Sequence, residues 1–233
     1  MAIRTFAAID VGSYELGMKI FEVSRTRGIR EIDHVVRKID LGSETYATGK
    51  LSLHRIQEVR DILKEYRKIM DTYRVEEYQA YGTSAIREMT NASIILSQWE
   101  EETGIRIDVL TNSEQRFLDV KSVAYRGKNF DRIVSEGCAI VDIGGSSIQI
   151  SLFENGVLQS TQNLKLGRDL IDVGQFRSFA EYFSENSSSE LAREFRMNEE
   201  GIFLLHISGA MMQCIIDALG AVRVYAPGVT LAD

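Results

Sequence analysis

The sequence predicts an α/β protein made of two similar halves, and an internal repeat is the main observation behind this prediction. Residues 6–22 align without gaps to residues 138–154. In this alignment the Asp-x-Gly that starts at Asp10 falls on the Asp-x-Gly that starts at Asp142. Because a repeat at this spacing indicates one structural unit used twice, we expect two related domains.

Each copy of the repeat has the pattern of a β-hairpin that turns at its Asp-x-Gly. An apolar run predicts a buried strand ending at Asp10 or Asp142, and the glycines permit a tight turn before alternation resumes. The turn amides form a concavity for an anion, to which Ser13, Ser146 or Ser147 adds a hydroxyl group. An aspartate at a strand end is suited to a hydrated divalent cation. A lone turn would indicate only local capping by the aspartate, but two copies predict phosphate handling.

Helix and strand patterns alternate between and after the hairpins. Apolar residues recur at helical spacing from Leu53 to Met70, with Ser52 as the N-cap, and Trp99 is expected in the core. The other predicted elements are strands at 78–82, 105–110 and 202–207, and helices at 92–103, at 113–125 and up to 219. Strands followed twice by this alternation predict two α/β domains, 1–118 and 119–233.

Composition argues against several classes of function. The net charge of −7 gives no general attraction for nucleic acid or for an anionic membrane. The N-terminus lacks the pattern of a signal peptide, and no apolar run reaches the ~20 residues that span a bilayer. Cys138 and Cys214 lie in apolar runs without metal-ligand spacing, which is typical of reduced buried thiols. We therefore expect a cytoplasmic protein without nucleic-acid or membrane partners.

Six segments of the sequence occur in an order shared with one known family. They are residues 8–13, 41–42 with 48–52, 83–88, 141–146, 164–167 and 208–209. On these segments the chain resembles the exopolyphosphatase / guanosine pentaphosphate phosphohydrolase family of the actin–sugar kinase–Hsp70 fold. The resemblance covers most of residues 3–167. It implies two tandem actin-like (ribonuclease H-like) domains with a cleft between them, without the helical C-terminal domain that is typical of the family.

The resemblance also implies an activity and its site. Family members release terminal orthophosphate from polyphosphate or guanosine pentaphosphate by metal-assisted attack of water, and homodimers are common among them. The implied cofactor is Mg²⁺ or another divalent cation, with Asp10 and Asp142 as metal ligands. An alternative for Arg87 is a surface ion pair with Glu88 or a neighbouring carboxylate. The implied phosphate-binding residues are Gly12, Ser13, Ser84, Arg87, Gly144, Gly145 and Ser146.

The sequence departs from the family where the general base is expected. The base belongs to a Gly-x-Glu-Glu-Ala segment, and the alignment puts it at Gln115, with Glu114 one position earlier. A neutral amide is a poor proton acceptor, and loss of a positioned base costs roughly 10²–10⁴-fold in rate. Two roles stay open for Glu114, a substitute base or a first-turn carboxylate that favours the helix dipole. The catalytic candidates are therefore Glu114, Gln115 and Asp142.

Other departures flank the expected phosphates and leave three functions open. The first loop carries Tyr14 and Glu15, which would crowd and repel an anion, and the second carries Ser146 and Gln149 in place of Gly and Glu. The chain is then a divergent hydrolase, or a phosphate- or nucleotide-sensing binding protein that has lost hydrolysis. An actin-like kinase has less support, because its adenosine-loop glycines are reduced to residues 208–209.

Overall fold

Strands and helices alternate along the chain, as the sequence predicts. A computed structural model describes residues 3–127, 129–143 and 147–165, all of which belong to one compact unit. The strands are β1 (Arg4–Val11), β2 (Glu15–Ser24), β3 (Gly28–Lys38), β4 (Glu77–Gly82), β5 (Asp108–Val109), β6 (Cys138–Ile143), β7 (Ser147–Glu154) and β8 (Val157–Lys165). The helices are α1 (Gly42–Thr48), α2 (Leu53–Thr72), α3 (Ser84–Arg87), α4 (Ala92–Thr103), α5 (Asn112–Arg126) and α6 (Phe130–Glu136).

The two hairpins of the repeat lie in different sheets. The first sheet has the strand order β3-β2-β1-β4-β5, with antiparallel pairing among β1, β2 and β3 and parallel pairing of β4 with β1 and β5. The second sheet is antiparallel and has the order β6-β7-β8. The predicted α/β class is therefore confirmed.

Both hairpins have the same backbone register, so the sequence repeat corresponds to a structural repeat. Asp10 pairs with Gly17 between β1 and β2, and Asp142 pairs with Gln149, at the same offset, between β6 and β7. The pairing of the third strand with the second also shifts register at the matching point of each copy. These shifts lie between Ile20 and Phe21 and between Leu152 and Phe153.

One face of the five-stranded sheet packs against α2 and α4 and forms the core. Trp99 of α4 is fully buried there, as predicted, and its Nε1 donates to the Ile56 carbonyl at 3.0 Å. Successive strand residues point to opposite faces. Because Ile9 and Val11 belong to this core, Asp10 between them points to the other face. That face carries the candidate site.

Most of the predicted elements in the described residues are confirmed. Helix α2 follows Ser52, whose Oγ accepts from the Arg55 amide at 3.3 Å, and α4 ends at Gly104, whose φ of 68° is left-handed. Leu53 is an exception to the predicted apolar face, since it is 69% exposed at the start of α2. The strand predicted at 105–110 is shorter, because only Asp108–Val109 pairs with β4. Helices α1, α3 and α6 were not predicted.

Some predictions lie outside the described residues. These are the strand at 202–207, the helix that ends at 219 and the turn residues Gly144, Gly145 and Ser146. The domain boundary at residue 118 stays a prediction. In the part of the chain that the structure describes, no helix is both long enough and apolar enough to cross a bilayer.

Candidate functional site

A chain of hydrogen bonds joins the second Asp-x-Gly to helix α5 and to Arg87. Gln115 in the first turn of α5 is only 9% exposed, and its Nε2 donates to Asp142 Oδ2 at 3.3 Å. Its Oε1 accepts from Arg87 Nη1 at 3.5 Å, and the same Nη1 donates to the Leu110 carbonyl at 2.5 Å. The structure thus brings together three residues that the sequence singled out separately.

Arg87 is partly buried and keeps its positive charge next to Gln115. Burial lowers the pKa of its guanidinium, while the charge of Glu88 and the nearby Tyr46 raise it. The surface ion pair that the sequence left open for Arg87 is not formed with any carboxylate of the described residues. A partly buried guanidinium next to a polar site is suited to bind an anion.

Three carboxyl groups influence one another at this site, namely Asp10 of β1, Asp119 of α5 and Asp142 of β6. Burial, with the charges of Glu15 and Asp142, raises the pKa of Asp10 from 3.8 to about 7. Burial, with the charges of Asp142 and Asp10, raises the pKa of Asp119 from 3.8 to about 8, and Arg116 lowers it in part. Burial also raises the pKa of Asp142, which hydrogen bonds with Gln115 and Asp119 partly lower. The two Asp-x-Gly strand ends therefore lie near each other.

The Asp10 carboxyl is expected to make the metal-free protein less stable as pH rises. Because its pKa is about 7 in the folded protein and 3.8 as the ordinary value, folding favours its protonated form. Its contribution to stability is complete below pH 3.8 and is lost as pH rises through 7. The free energy of unfolding is measured in urea with EDTA at pH 4 and at pH 8. Relative to wild type, that of Asp10→Asn should be about 2–4 kcal/mol higher at pH 8 than at pH 4. A difference between the two proteins that is the same at both pH values would contradict this.

The hydroxyl groups of Ser13, Tyr46 and Ser84 form a hydrogen-bonded cluster beside the first hairpin. Ser13 Oγ lies 2.6 Å from Tyr46 Oη and 3.0 Å from Ser84 Oγ, and Tyr46 Oη donates to Ser84 Oγ at 2.9 Å. Ser13 is 6% exposed. The two serines that the sequence selected for phosphate binding thus lie together, and Tyr46 of α1 joins them.

Gly12 shapes the first turn. Its amide donates to the Glu15 carbonyl at 3.0 Å, and a Cβ atom at this position would lie 2.9 Å from the same oxygen. A side chain at Gly12 would therefore force the turn to open. Because the Gly12 amide is engaged inside the turn, its predicted contact with phosphate stays a prediction.

Glu114 is exposed and caps helix α5. Its carboxylate accepts from the Thr111 amide at 2.9 Å and from the Thr111 hydroxyl at 2.8 Å, while the Thr111 hydroxyl accepts from the Glu114 amide. These hydrogen bonds lower the pKa of this exposed carboxyl. Of the two roles left open for Glu114, the geometry favours the helix cap.

The oxygen ligands at this site fit a hard divalent cation. Asp10 Oδ1 and Asp119 Oδ2 are closed off from solvent and have no hydrogen-bond partner among the described residues. Within the described ranges, no three Asp, Glu, His or Cys side chains lie close enough together to hold one ion. An ion bound here would be coordinated by one or two carboxylates and would complete its coordination shell with water or phosphate oxygens, as is usual for Mg²⁺.

Sequence reasoning missed three residues of the site, Asp119, Arg116 and Tyr46. Asp119 follows Gln115 by one helical turn, so a helical wheel would have placed the two on one face. Arg116 is partly buried and its Nε has no hydrogen-bond partner among the described residues. Tyr46 lies on α1, which was not predicted. No motif marks any of these positions.

Similarity to known proteins covers most of the chain. The model of the Ppx/GppA phosphatase family matches residues 20–187, which is more than half of the chain. A guanosine-5'-triphosphate,3'-diphosphate pyrophosphatase of Photobacterium profundum is 28% identical over 163 residues, covering 70% of this chain and 31% of that protein. Exopolyphosphatase 2 of Mycobacterium tuberculosis is 27% identical over 170 residues, covering 69% of this chain and 51% of that protein. The chain thus spans a third to a half of the length of these relatives.

Solved structures of similar proteins support the predicted fold. The Ppx/GppA family member of Aquifex aeolicus superposes with a TM-score of 0.60 at 28% identity, covering 84% of this chain and 60% of that one. An exopolyphosphatase from Cytophaga hutchinsonii gives the same TM-score at 20% identity, which is a likeness of fold alone. The actin-like family fold expected from the sequence agrees with these neighbours.

Proposed function

The chain belongs to the Ppx/GppA phosphatase family, and we propose that it hydrolyses phosphoanhydrides, releasing terminal orthophosphate from polyphosphate or guanosine pentaphosphate. The observation that carries the proposal is the hydrogen-bonded chain from Asp142 through Gln115 to Arg87, where the two Asp-x-Gly strand ends come near each other. It combines an acidic group suited to a cation with a basic group suited to a phosphate.

Positive and hydroxyl groups of the site bind the substrate in this proposal. Arg87 and Arg116 neutralise the negative charge of the phosphates, since neither forms an ion pair with a carboxylate of the described residues. Ser13, Ser84 and Tyr46 donate hydroxyl hydrogen bonds to phosphate oxygens. Such preorganised donors stabilise charge that develops on the transferred phosphoryl group. Gly144, Gly145 and Ser146 of the second turn complete the phosphate site.

Asp10 and Asp142 are the residues that would hold the divalent cation. When bound, Mg²⁺ supplies positive charge that stabilises the phosphoryl oxygens. Burial is the main cause of the raised pKa of both carboxyl groups, and it supports this assignment because a bound cation would offset the lost solvation of the carboxylates. The remaining chemistry depends on how the chain positions water.

Gln115 orients the attacking water in this mechanism. Its amide donates to Asp142 and accepts from Arg87, so it is fixed between the acidic and basic groups. The water oxygen forms a bond to the terminal phosphorus while the bridging P–O bond breaks. Orthophosphate and a shortened chain are formed, and the proton of the water passes to solvent, since an amide orients water without taking its proton. We expect a slow enzyme for this reason.

One observation favours a second function, a phosphate- or nucleotide-sensing binding protein. Both residues that replace expected acids, Gln115 and Gln149, are neutral and buried. A protein with these amides would keep the phosphate contacts and lose hydrolysis. We also propose two domains, at 1–118 and 119–233, on the basis of the sequence repeat. A homodimer and a cytoplasmic location are proposed from the likeness to the family.

Orthophosphate release and substrate binding separate the two functions. We expect the wild-type chain to release orthophosphate from polyphosphate or from guanosine pentaphosphate in Mg²⁺, and to stop when EDTA is added. Binding of both substrates is measured in parallel by calorimetry. Binding without release would contradict hydrolysis and support the binding protein, and the absence of both would contradict phosphate handling.

A further inference from the structure

We propose that Asp119 is a direct ligand of the divalent cation at this site, together with Asp142 and the amide oxygen of Gln149. The inference rests on the proposed function, because it concerns the same cation. It assigns a role to Asp119, which no sequence motif marks, beside Gln149, which stands where the family motif has a glutamate.

The first support is the contact between Asp119 and Asp142. Their carboxyl groups lie against each other, although they come from helix α5 and strand β6. Two carboxylates in contact repel each other unless a proton or a cation lies between them. A divalent cation would remove the repulsion and bind both groups.

An unused oxygen atom supports the same role. Asp119 Oδ2 is closed off from solvent and makes no hydrogen bond with any of the described residues. Leaving a buried acceptor unpaired is destabilising, and more so for a charged group. Coordination of a cation is a direct way to satisfy such an oxygen.

Gln149 gives the second, independent observation. It is 2% exposed, and neither Oε1 nor Nε2 of its amide has a hydrogen-bond partner among the described residues. It lies directly opposite Asp142 in the β6–β7 pair, so the two side chains share one face of the sheet with Cβ atoms about 4.5–5.5 Å apart. A buried amide beside a carboxylate pair is suited to offer its oxygen to an ion.

The ligand set indicates which ion is bound. Two carboxylates and one amide provide oxygen ligands only, which favour Mg²⁺, Mn²⁺ or Ca²⁺ over Zn²⁺. No three acidic side chains of the described residues are close enough to share an ion. In this assignment Asp119 therefore takes the coordination position that the proposed function gives to Asp10, and Asp10 acts through its charge alone. The open coordination positions are left for water and for phosphate oxygens.

Calorimetric titration of the full chain with MnCl2 and with MgCl2 tests the assignment. We expect Asp119→Asn to raise the dissociation constant about 10- to 100-fold, within the range for perturbed metal sites. The exposed Asp131→Asn should leave it unchanged, and Asp119→Glu, which keeps the carboxylate, should bind more tightly than Asp119→Asn. Thermal unfolding in EDTA checks that each variant folds, and the rise in Tm on adding Mg²⁺ should be lost only in Asp119→Asn.

Unchanged cation affinity in a folded Asp119→Asn protein, or no cation binding by wild type at millimolar concentration, would overturn the assignment. The outcome is distinct from that of the proposed function. Cation binding that depends on Asp119 without orthophosphate release would support the ligand role and contradict hydrolysis. Orthophosphate release together with cation binding that does not depend on Asp119 would support hydrolysis and contradict the ligand role of Asp119.

Discussion

Replacing Gln115 with glutamate is expected to raise the rate of phosphoanhydride hydrolysis by about 10²- to 10⁴-fold, the range that a positioned general base contributes. The new carboxylate would take the place of an amide that lies 3.5 Å from Arg87 Nη1 and 3.3 Å from Asp142 Oδ2. The charge of Asp142 would raise the pKa of this glutamate toward neutrality, where a base is most effective. The measurement is orthophosphate release per site from polyphosphate at saturating Mg²⁺.

The neighbouring glutamate provides the matched control for this gain. Glu114→Gln should leave the rate within about two-fold of wild type, because Glu114 is exposed and bonded to Thr111. Its effect on the free energy of unfolding should be small, because a glutamine keeps the capping-box acceptor and loses only the negative charge near the helix N-terminus. A folded Gln115→Glu protein with an unchanged rate would show that this position does not face the attacking water. A large loss of activity in Glu114→Gln would identify Glu114 as the general base.

Removing the guanidinium of Arg87 is expected to lower kcat/KM by about 10²- to 10³-fold, as for loss of a donor that stabilises transition-state charge. Arg87 is partly buried and lies between the Leu110 carbonyl and Gln115 without a carboxylate partner in the described residues. Arg87→Ala should weaken polyphosphate binding as well, and Arg87→Lys should fall between wild type and Arg87→Ala, because it keeps the charge but not the planar fork.

Arg106 serves as the control for Arg87. It is exposed and paired with Asp108, so Arg106→Ala should change kcat/KM little. Thermal unfolding of each variant separates loss of the Leu110 contact from loss of phosphate binding. A decrease for Arg87→Ala no larger than that for Arg106→Ala would exclude Arg87 from the phosphate site.

The sequence predicts the fold well because the repeat determines its two sheets. The alignment of Asp10 with Asp142 anticipates equal registers, and apolar spacing anticipates α2, α4 and α5. The helices α1 and α6 are harder to predict, since seven residues make too few turns for a periodic pattern. The length of β5 is also hard to predict. The buried apolar residues on either side of it have the composition of a strand, but they do not pair with β4.

The site is only partly predictable, because burial and pairing arise from tertiary packing. Asp142, Arg87 and Gln115 lie in motifs that the sequence alone identifies, and the structure joins them. Asp119 has the pattern of an ordinary polar residue on an amphipathic helix. Only the packing of α5 near both Asp-x-Gly strand ends buries it against Asp142 and raises its pKa to about 8. The role of Glu114 likewise depends on the rotation of α5, which its Thr111 cap reveals.

Orthophosphate release from polyphosphate in Mg²⁺ by wild type and by Asp142→Asn tests the central claim most directly. Asp142 is the group at which Gln115, Asp119 and the second hairpin meet, so its loss should lower the rate by about 10²-fold or more. The exposed Asp61→Asn on α2 should match wild type. Release by wild type that is lost only in Asp142→Asn is the predicted result. No release by wild type, or equal release by all three proteins, would contradict the assignment of hydrolysis to this site.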